Sequence, residues 1–191
     1  MDLYWSKGFS FEQLLTDPSL KERYRASAGV YVHLDGRALS PDGGGQAAYV
    51  GKASGEPSLW IRQYQHYVNT IGGLCVIPDG AGGYQWMPGY KSSIAQQTVV
   101  DEDKFVALVR RAFDYAKTVR VHLCALKSAD DAKSVERELL YVLRPADTDW
   151  GKVSPPAERL ALVHHCAEFP FMRGWSPRAD RAASWRLTDL P

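Results

Sequence analysis

Two glycine- and tyrosine-bearing triplets lie close together in the first third of the chain. They read Gly29-Val30-Tyr31 and Tyr49-Val50-Gly51, and a turn-rich segment, residues 35–46, joins them. Each triplet lies in a run of β-branched and aromatic residues bounded by turn formers, which is typical of a strand. Side chains alternate between the two faces of a strand, so Tyr31 is expected on the face opposite to Val30. The pattern therefore predicts a β-hairpin with two tyrosines side by side, which suits a site better than a core.

The segment after the hairpin is predicted to be a helix with an arginine and a histidine on one face. Pro57 and Ser58 precede residues 59–68, in which the apolar residues have helical spacing. Arg62 and His66 are four residues apart and are therefore neighbours on the helix surface. Hairpin and helix together are expected to bring phenol, guanidinium and imidazole groups to one place.

Three further elements complete the predicted core. Residues 104–118 have the pattern of an amphipathic helix, residues 119–126 alternate as a strand, and residues 128–144 form a last helix that Pro145 follows. The apolar stripe of this last helix consists of Val135, Leu139, Val142 and Leu143. Glu136 is expected beside this stripe, and Glu138 is expected to point more toward solvent. These elements predict an α+β fold.

The ordered set of residues resembles the GIY-YIG nuclease superfamily, whose name spells the two triplets. Here they read GVY and YVG with Lys52 following, and Glu136 precedes Pro145 by the family's nine residues. The step from Arg62 to His66 is similar to the type II restriction endonuclease branch. The resemblance covers about residues 28–148 and departs at Thr148, where the family commonly has asparagine.

The resemblance implies a fold and a domain organisation. The expected core is a small three-stranded, mainly antiparallel sheet flanked by helices. It would span residues 28–150 and include an inserted Gly- and Pro-rich loop, residues 70–100. An N-terminal helical extension, residues 1–27, and a C-terminal extension, residues 151–191, would flank this core.

The resemblance also implies the functional residues. The expected catalytic residues are Tyr31, Tyr49, Arg62, His66 and Glu136, and Glu136 is also the expected ligand of Mg²⁺ or Mn²⁺. The expected substrate-binding residues are Gly51, Lys52, Gln85 and Lys91. In this branch of the family the first tyrosine acts as the general base and the histidine assists it.

Each of these residues also has a structural interpretation. A strand tyrosine is more often a packing residue, and a lone histidine more often lies at the surface or at a helix cap. Arg62 and Glu136 could simply form a salt bridge with each other. The joint occurrence of the residues in family order favours a site.

The function implied is divalent-metal-dependent hydrolysis of double-stranded DNA. The first choice is a sequence-specific type II restriction enzyme. Such an enzyme is expected to be a homodimer that reads a two-fold DNA site, with the loop of residues 70–100 near the bases and a cognate methyltransferase as a partner. One alternative is an antiviral or interbacterial toxin nuclease acting on DNA or RNA, with an immunity protein. The other alternative is a catalytically weak nucleic-acid-binding module with the same fold.

Composition narrows the class of protein. The net charge of +1 does not indicate non-specific nucleic-acid binding, which depends on phosphate neutralisation. No apolar run approaches the ~20 residues that span a bilayer, and no signal-peptide pattern begins the chain, so no membrane association is expected. Cys75, Cys124 and Cys166 lack paired spacing, which predicts a cytoplasmic location and no structural zinc. Adjacent side chains project in different directions, so His164-His165-Cys166 is not expected to form a metal site.

The two extensions carry weaker patterns. Residues 10–25 predict one helix with Ser10 as its cap. In the C-terminal extension, arginines alternate with Trp175 and Trp185. These residues either contact phosphates and bases or pack the tail onto the core, and the sequence leaves both open.

Overall fold

The computed structural model of the chain describes residues 1–36, 47–71, 76–78, 84–86, 102–143, 145, 155–166 and 185–189. Its elements in chain order are β1 (Asp2–Trp5), α1 (Phe11–Thr16), α2 (Pro18–Tyr24), β2 (Ala28–Leu34), β3 (Ala47–Ala53), α3 (Leu59–Ile71), β4 (Val76–Pro78), β5 (Tyr84–Trp86), α4 (Glu102–Thr118), β6 (Arg120–Leu126), α5 (Ala129–Leu143), β7 (Leu162–Cys166) and β8 (Trp185–Asp189). This mixture of helices with a mainly antiparallel central sheet confirms the predicted α+β class.

The central sheet has three antiparallel strands, as predicted, and the strands lie in the order β3-β2-β6. Val30 in the middle strand lies opposite Lys52 of β3 and Cys124 of β6. A Cβ atom added to Gly29 would lie 3.0 Å from the Cα atom of Ala125. The glycine of the first triplet therefore permits the close approach of β6.

The two faces of β2 pack against different helices, as the alternation predicted. Val30, Val32 and Leu34 belong to a core cluster that includes the α5 residues Val135, Leu139 and Leu143. Tyr31 lies in a second cluster on the other face. This second cluster includes residues of α1, α2, α3 and α4, among them Phe11, Leu59 and Ala112. Helices α3, α4 and α5 agree with the three predicted helices to within a few residues.

The prediction for Glu138 was wrong. Its side chain is fully buried on α5 and forms an ion pair with Arg159, whose Nη2 atom lies 2.7 Å from Oε1. The Arg159 Nε atom lies 2.9 Å and 3.1 Å from the two carboxylate oxygens. The face of α5 that looked solvent-facing is covered by the segment leading into β7, which brings its own positive charge.

The predicted single helix over residues 10–25 is two helices. Ser10 caps α1 as expected, in a capping box with Gln13. Asp17 then ends α1 and caps α2, and its side chain accepts a hydrogen bond from the Ser19 N–H at 2.8 Å. Pro18 is the first residue of α2, a position where its missing N–H costs nothing but where α1 cannot continue.

A second sheet, not predicted from the sequence, joins the two ends of the chain. Strands β1, β7 and β8 pair in parallel in the order β1-β7-β8. Leu3 and Trp5 of β1 belong to the same core cluster as Val30. The Ser6 N–H donates to the carbonyl of Leu123 in β6 at 2.8 Å. Described parts of both predicted extensions therefore pack against the central fold.

The predicted loop of residues 70–100 is described only in part. Thr70 and Ile71 continue α3, and the short hairpin of β4 and β5 lies within the loop. Lys91, Cys75, Thr148 and Trp175 lie outside the described residues. Within the described ranges, none of the helices is long and apolar enough to cross a bilayer.

Candidate active site

Four of the predicted catalytic side chains meet at the hydroxyl of Tyr31. This oxygen lies 2.7 Å from the Nε2 atom of His66. The rings of Tyr31 and Tyr49 stack with 6.0 Å between centroids and 24° between planes, and Tyr49 contacts the Tyr31 hydroxyl. The guanidinium of Arg62 also contacts the Tyr31 hydroxyl and lowers its pKa. Tyr31 is fully buried, whereas Tyr49, Arg62 and His66 are partly exposed.

Local structure explains this convergence. Tyr31 and Tyr49 lie on the face of the hairpin that packs against α3. Ser58 caps α3, since its carbonyl accepts the Arg62 N–H at 2.9 Å. One turn separates Arg62 from His66, so both side chains reach the tyrosines from the same side of the helix.

Gly51 provides the space for the two tyrosine rings. It lies opposite Tyr31 in the β2–β3 register. A Cβ atom added there would lie 2.5 Å from the Cζ atom of Tyr31 and 2.8 Å from the Cε1 atom of Tyr49. The glycine of the second triplet is therefore required by packing within the site, which is a more specific role than the predicted contact with substrate.

We predict that Gly51→Ala displaces both tyrosines. Overpacking of this kind costs about 1–3 kcal/mol of folding stability. The stacked ring pair should also be lost, which near-ultraviolet circular dichroism and urea unfolding would detect together. Ser54→Ala, at the exposed residue directly after β3, is the control, and equal effects of the two substitutions would contradict the packing role.

The Tyr31–His66 pair is uncharged at neutral pH. Burial raises the pKa of Tyr31 well above 10, with the neighbouring Tyr49 adding to the rise and Arg62 opposing it. Burial also lowers the pKa of His66 well below 6.5, and His33 and Arg62 lower it further. The phenol of Tyr31 thus keeps its proton, and the neutral imidazole of His66 has a nitrogen lone pair that can accept this proton.

Glu136 forms an ion pair with Lys52. The Nζ atom of Lys52 lies 2.5 Å from the Oε2 atom of Glu136, with the two side chains 37% and 16% exposed. Arg62 instead donates to the Gln65 side chain at 3.0 Å, so the alternative of an Arg62–Glu136 salt bridge was wrong. Lys52 was predicted to bind substrate. In the structure its ammonium group contacts the carboxylate of Glu136, the predicted metal ligand.

The edge strand β3 connects the two halves of the site. A Cβ atom added to Gly51 would point toward the tyrosines, whereas the side chain of Lys52 points to the opposite face of the strand, toward Glu136. Their Cα atoms are about 3.8 Å apart because the residues are consecutive. Lys52 and Glu136 therefore meet on one face of β3, and the tyrosines lie on the other face. The predicted catalytic residues are thus divided between the two faces of this edge strand.

A metal ion, if bound, has one evident protein ligand. Glu136 offers a partly exposed carboxylate, and the described residues contain no group of three or more His, Cys, Asp or Glu that would hold a metal. This fits Mg²⁺, which usually keeps several waters and takes one or two carboxylates together with substrate phosphates. The ammonium of Lys52 already contacts this carboxylate, so the position accommodates a cation.

His164 and His165, which were not expected to form a metal site, lie in the second sheet on β7. His164 and His165 point to opposite faces of β7, as expected. His164 accepts a hydrogen bond from the Trp5 indole at 3.1 Å, and His165 contacts Asp2 at 2.8 Å. Gln85 lies in β5, paired with Ile77.

Sequence reasoning missed two buried polar residues behind the site. The Nε2 atom of His33 lies 2.7 Å from the Oε1 atom of Gln63, and both side chains are buried. His33 follows Tyr31 by two residues and so shares its face of β2, and Gln63 precedes His66 by one helical turn. This periodicity could have identified both residues as neighbours of the site.

Comparisons of the chain with protein-family models, with curated proteins and with solved structures found no match. The described geometry is thus the basis on which a function can be proposed.

Proposed function

We propose that the protein is a divalent-metal-dependent endonuclease of the GIY-YIG type that hydrolyses DNA phosphodiester bonds. The observation that carries the proposal is the hydroxyl of Tyr31, which Tyr49, Arg62 and His66 all contact. Phosphodiester hydrolysis needs a proton acceptor near the attacking water and positive charge at the phosphoryl oxygens. A phenol, an imidazole and a guanidinium at one point supply both.

The two tyrosines and His66 form a relay for the proton of the attacking water. Because Tyr31 is buried and stacks on the partly exposed Tyr49, we expect water to reach the relay at Tyr49. Tyr49 takes a proton from the water and gives its own to Tyr31, which gives its proton to Nε2 of His66. An anionic phosphate nearby favours the last transfer, since it raises the pKa of the imidazole. His66 is then the final proton acceptor, and the two tyrosines pass the proton on to it.

Arg62 and Glu136 complete the proposed chemistry. The planar guanidinium of Arg62 matches the geometry of phosphate oxygens. Glu136 would hold Mg²⁺ or Mn²⁺, which when bound supplies positive charge at the phosphoryl and leaving oxygens. Lys52 lies beside this carboxylate and would contact the same phosphate once it leaves Glu136.

The direct test is cleavage of supercoiled plasmid and of a phage genome with Mg²⁺ or Mn²⁺, and with EDTA as the control. Metal-dependent nicking is the expected result. Discrete fragments would support a sequence-specific restriction enzyme acting as a homodimer on double-stranded DNA, whereas a smear would favour a toxin-like nuclease. Binding in EDTA without cleavage under any metal would favour the nucleic-acid-binding module.

Lys52→Met should bind Mn²⁺ more tightly than the unaltered protein does. Lys52 neutralises Glu136 and occupies one of its oxygens at 2.5 Å, so a metal ion must displace it. A unit charge a few ångströms from the metal ion opposes its binding by on the order of several kcal/mol at intermediate dielectric. Solvent screening reduces this energy, so we expect about a tenfold change in affinity. Calorimetric titration with Mn²⁺ measures it, with the exposed Lys117→Met as the control; equal affinities in both variants would contradict the competition.

A further inference from the structure

His33 contacts the aromatic side chains of the proposed site from behind. Its ring centroid lies 5.0 Å from that of His66, 5.4 Å from that of Tyr31 and 5.5 Å from that of Tyr49. The ring planes of His33 and His66 are nearly perpendicular, at 81°. Phe11 closes the layer by packing edge-on against His33 at 5.5 Å. His33 is thus a buried ring that touches both tyrosines and His66.

Gln63 fixes the rotation of the His33 ring. The 2.7 Å hydrogen bond between His33 Nε2 and Gln63 Oε1 runs from β2 to α3, the two elements that carry Tyr31 and His66. An amide oxygen accepts only, so Nε2 of His33 carries the proton. The amide Nε2 atom of Gln63 is buried and has no hydrogen-bond partner among the described residues. An amide held with one end unsatisfied is a costly arrangement, since an unpaired buried donor is unfavourable.

From these contacts we infer that His33, clamped by Gln63, is a positioning residue that holds the His66 ring with Nε2 facing the Tyr31 hydroxyl. The torsion about the Cβ–Cγ bond of a histidine is broad, so the ring of His66 can rotate unless its neighbours limit it. The perpendicular His33 ring limits this rotation of His66. His33 itself stays neutral, since burial lowers its pKa to about 4, and so adds no charge to the relay. The inference rests on the proposed function for its catalytic meaning only.

The test uses two variants of the full chain that separate positioning from stability. Gln63→Met removes the clamp and leaves the His33 N–H buried without an acceptor, so the protein should lose stability. His33→Phe combined with Gln63→Met removes both polar partners, so most of that stability should return. The ring at position 33 nevertheless stays unclamped in the double variant.

The first readout is nuclear magnetic resonance of histidine ring nitrogens without DNA or metal. We expect the Nε2 shift of His66 to move toward its non-hydrogen-bonded value in both variants, while the ring signals of His164 in the other sheet stay unchanged. The second readout is DNA cleavage, where kcat should fall about tenfold or more with KM within about twofold, because misplacement of a reacting group by an ångström is costly.

The outcomes distinguish the inference from the proposed function. Unchanged His66 shifts in the double variant, with kcat restored along with stability, would overturn the positioning role. An inactive unaltered protein whose His66 shifts still depend on Gln63 would support the positioning role and count against the nuclease. An active protein whose His66 shifts do not change in the variants would support the nuclease and count against the positioning role.

Discussion

Glu136→Gln should reduce metal-dependent DNA cleavage by about three orders of magnitude or more while the protein stays folded. The substitution keeps the shape of the side chain and removes the negative charge that would hold the metal ion. Several kcal/mol of transition-state stabilisation depend on such a metal, and about 1.4 kcal/mol corresponds to a factor of ten in rate. Initial rates of plasmid nicking with Mg²⁺ and Mn²⁺ measure the effect.

The same helix provides a matched control for this prediction. Glu138→Gln removes an equal charge two residues away, but Glu138 is buried against Arg159 on a face directed to the C-terminal segment. At a temperature where both variants are folded, Glu138→Gln should cut DNA at nearly the normal rate. Full activity in Glu136→Gln, or equal loss in both variants, would contradict the role assigned to Glu136.

Parts of the fold that depend on local pattern were predictable. The alternation of β2 placed Val30 and Tyr31 on opposite faces, and the spacing within α3 placed Arg62 beside His66. These outcomes follow from strand and helix geometry, which needs no knowledge of distant residues. The convergence of Tyr31, Tyr49, Arg62 and His66 was predictable for the same reason, since they lie on adjacent elements of one short segment.

Features that depend on distant pairs were not predictable. The parallel pairing of β1 with β7 joins segments about 160 positions apart, and neither strand is longer than five residues. The contact between Lys52 and Glu136 spans 84 positions. A parallel edge or an ion pair is decided by which segments the tertiary fold brings together, and a single sequence contains no periodicity that reports it. The division of residues 10–25 into two helices at Asp17, by contrast, could have been predicted from Pro18.

The misplaced Glu138 shows how a helix face is assigned. The apolar stripe of α5 marks the face toward β2, and the sequence offered no apolar residue at position 138 to extend it. A carboxylate can nevertheless be buried where a cation arrives to neutralise it. Arg159 does so in the stretch that leads into β7, and its guanidinium also lies over the ring of Tyr141 at 4.8 Å. The C-terminal segment is thereby fastened to the helix that carries Glu136.

Glu138→Gln should destabilise the protein by about 2–3 kcal/mol. Removing one partner of a fully buried ion pair costs about 3–5 kcal/mol because the other charge is left uncompensated. Here the cost is lower, since Arg159 is 36% exposed and water can reach its guanidinium. Urea unfolding at neutral pH gives the free energy of unfolding, and the slope of the transition should be unchanged.

Two further variants identify the origin of this loss. Glu136→Gln should change the free energy of unfolding by less than about 1 kcal/mol, because its ion pair with Lys52 is partly exposed. Glu138→Leu combined with Arg159→Leu should recover part of the stability, since apolar residues of similar volume often replace a buried pair without loss. If Glu138→Gln were as stable as the unaltered protein, the pair would not be holding the C-terminal segment to α5. Glu136→Gln is thus expected to reduce cleavage with little effect on stability, and Glu138→Gln to reduce stability with little effect on cleavage.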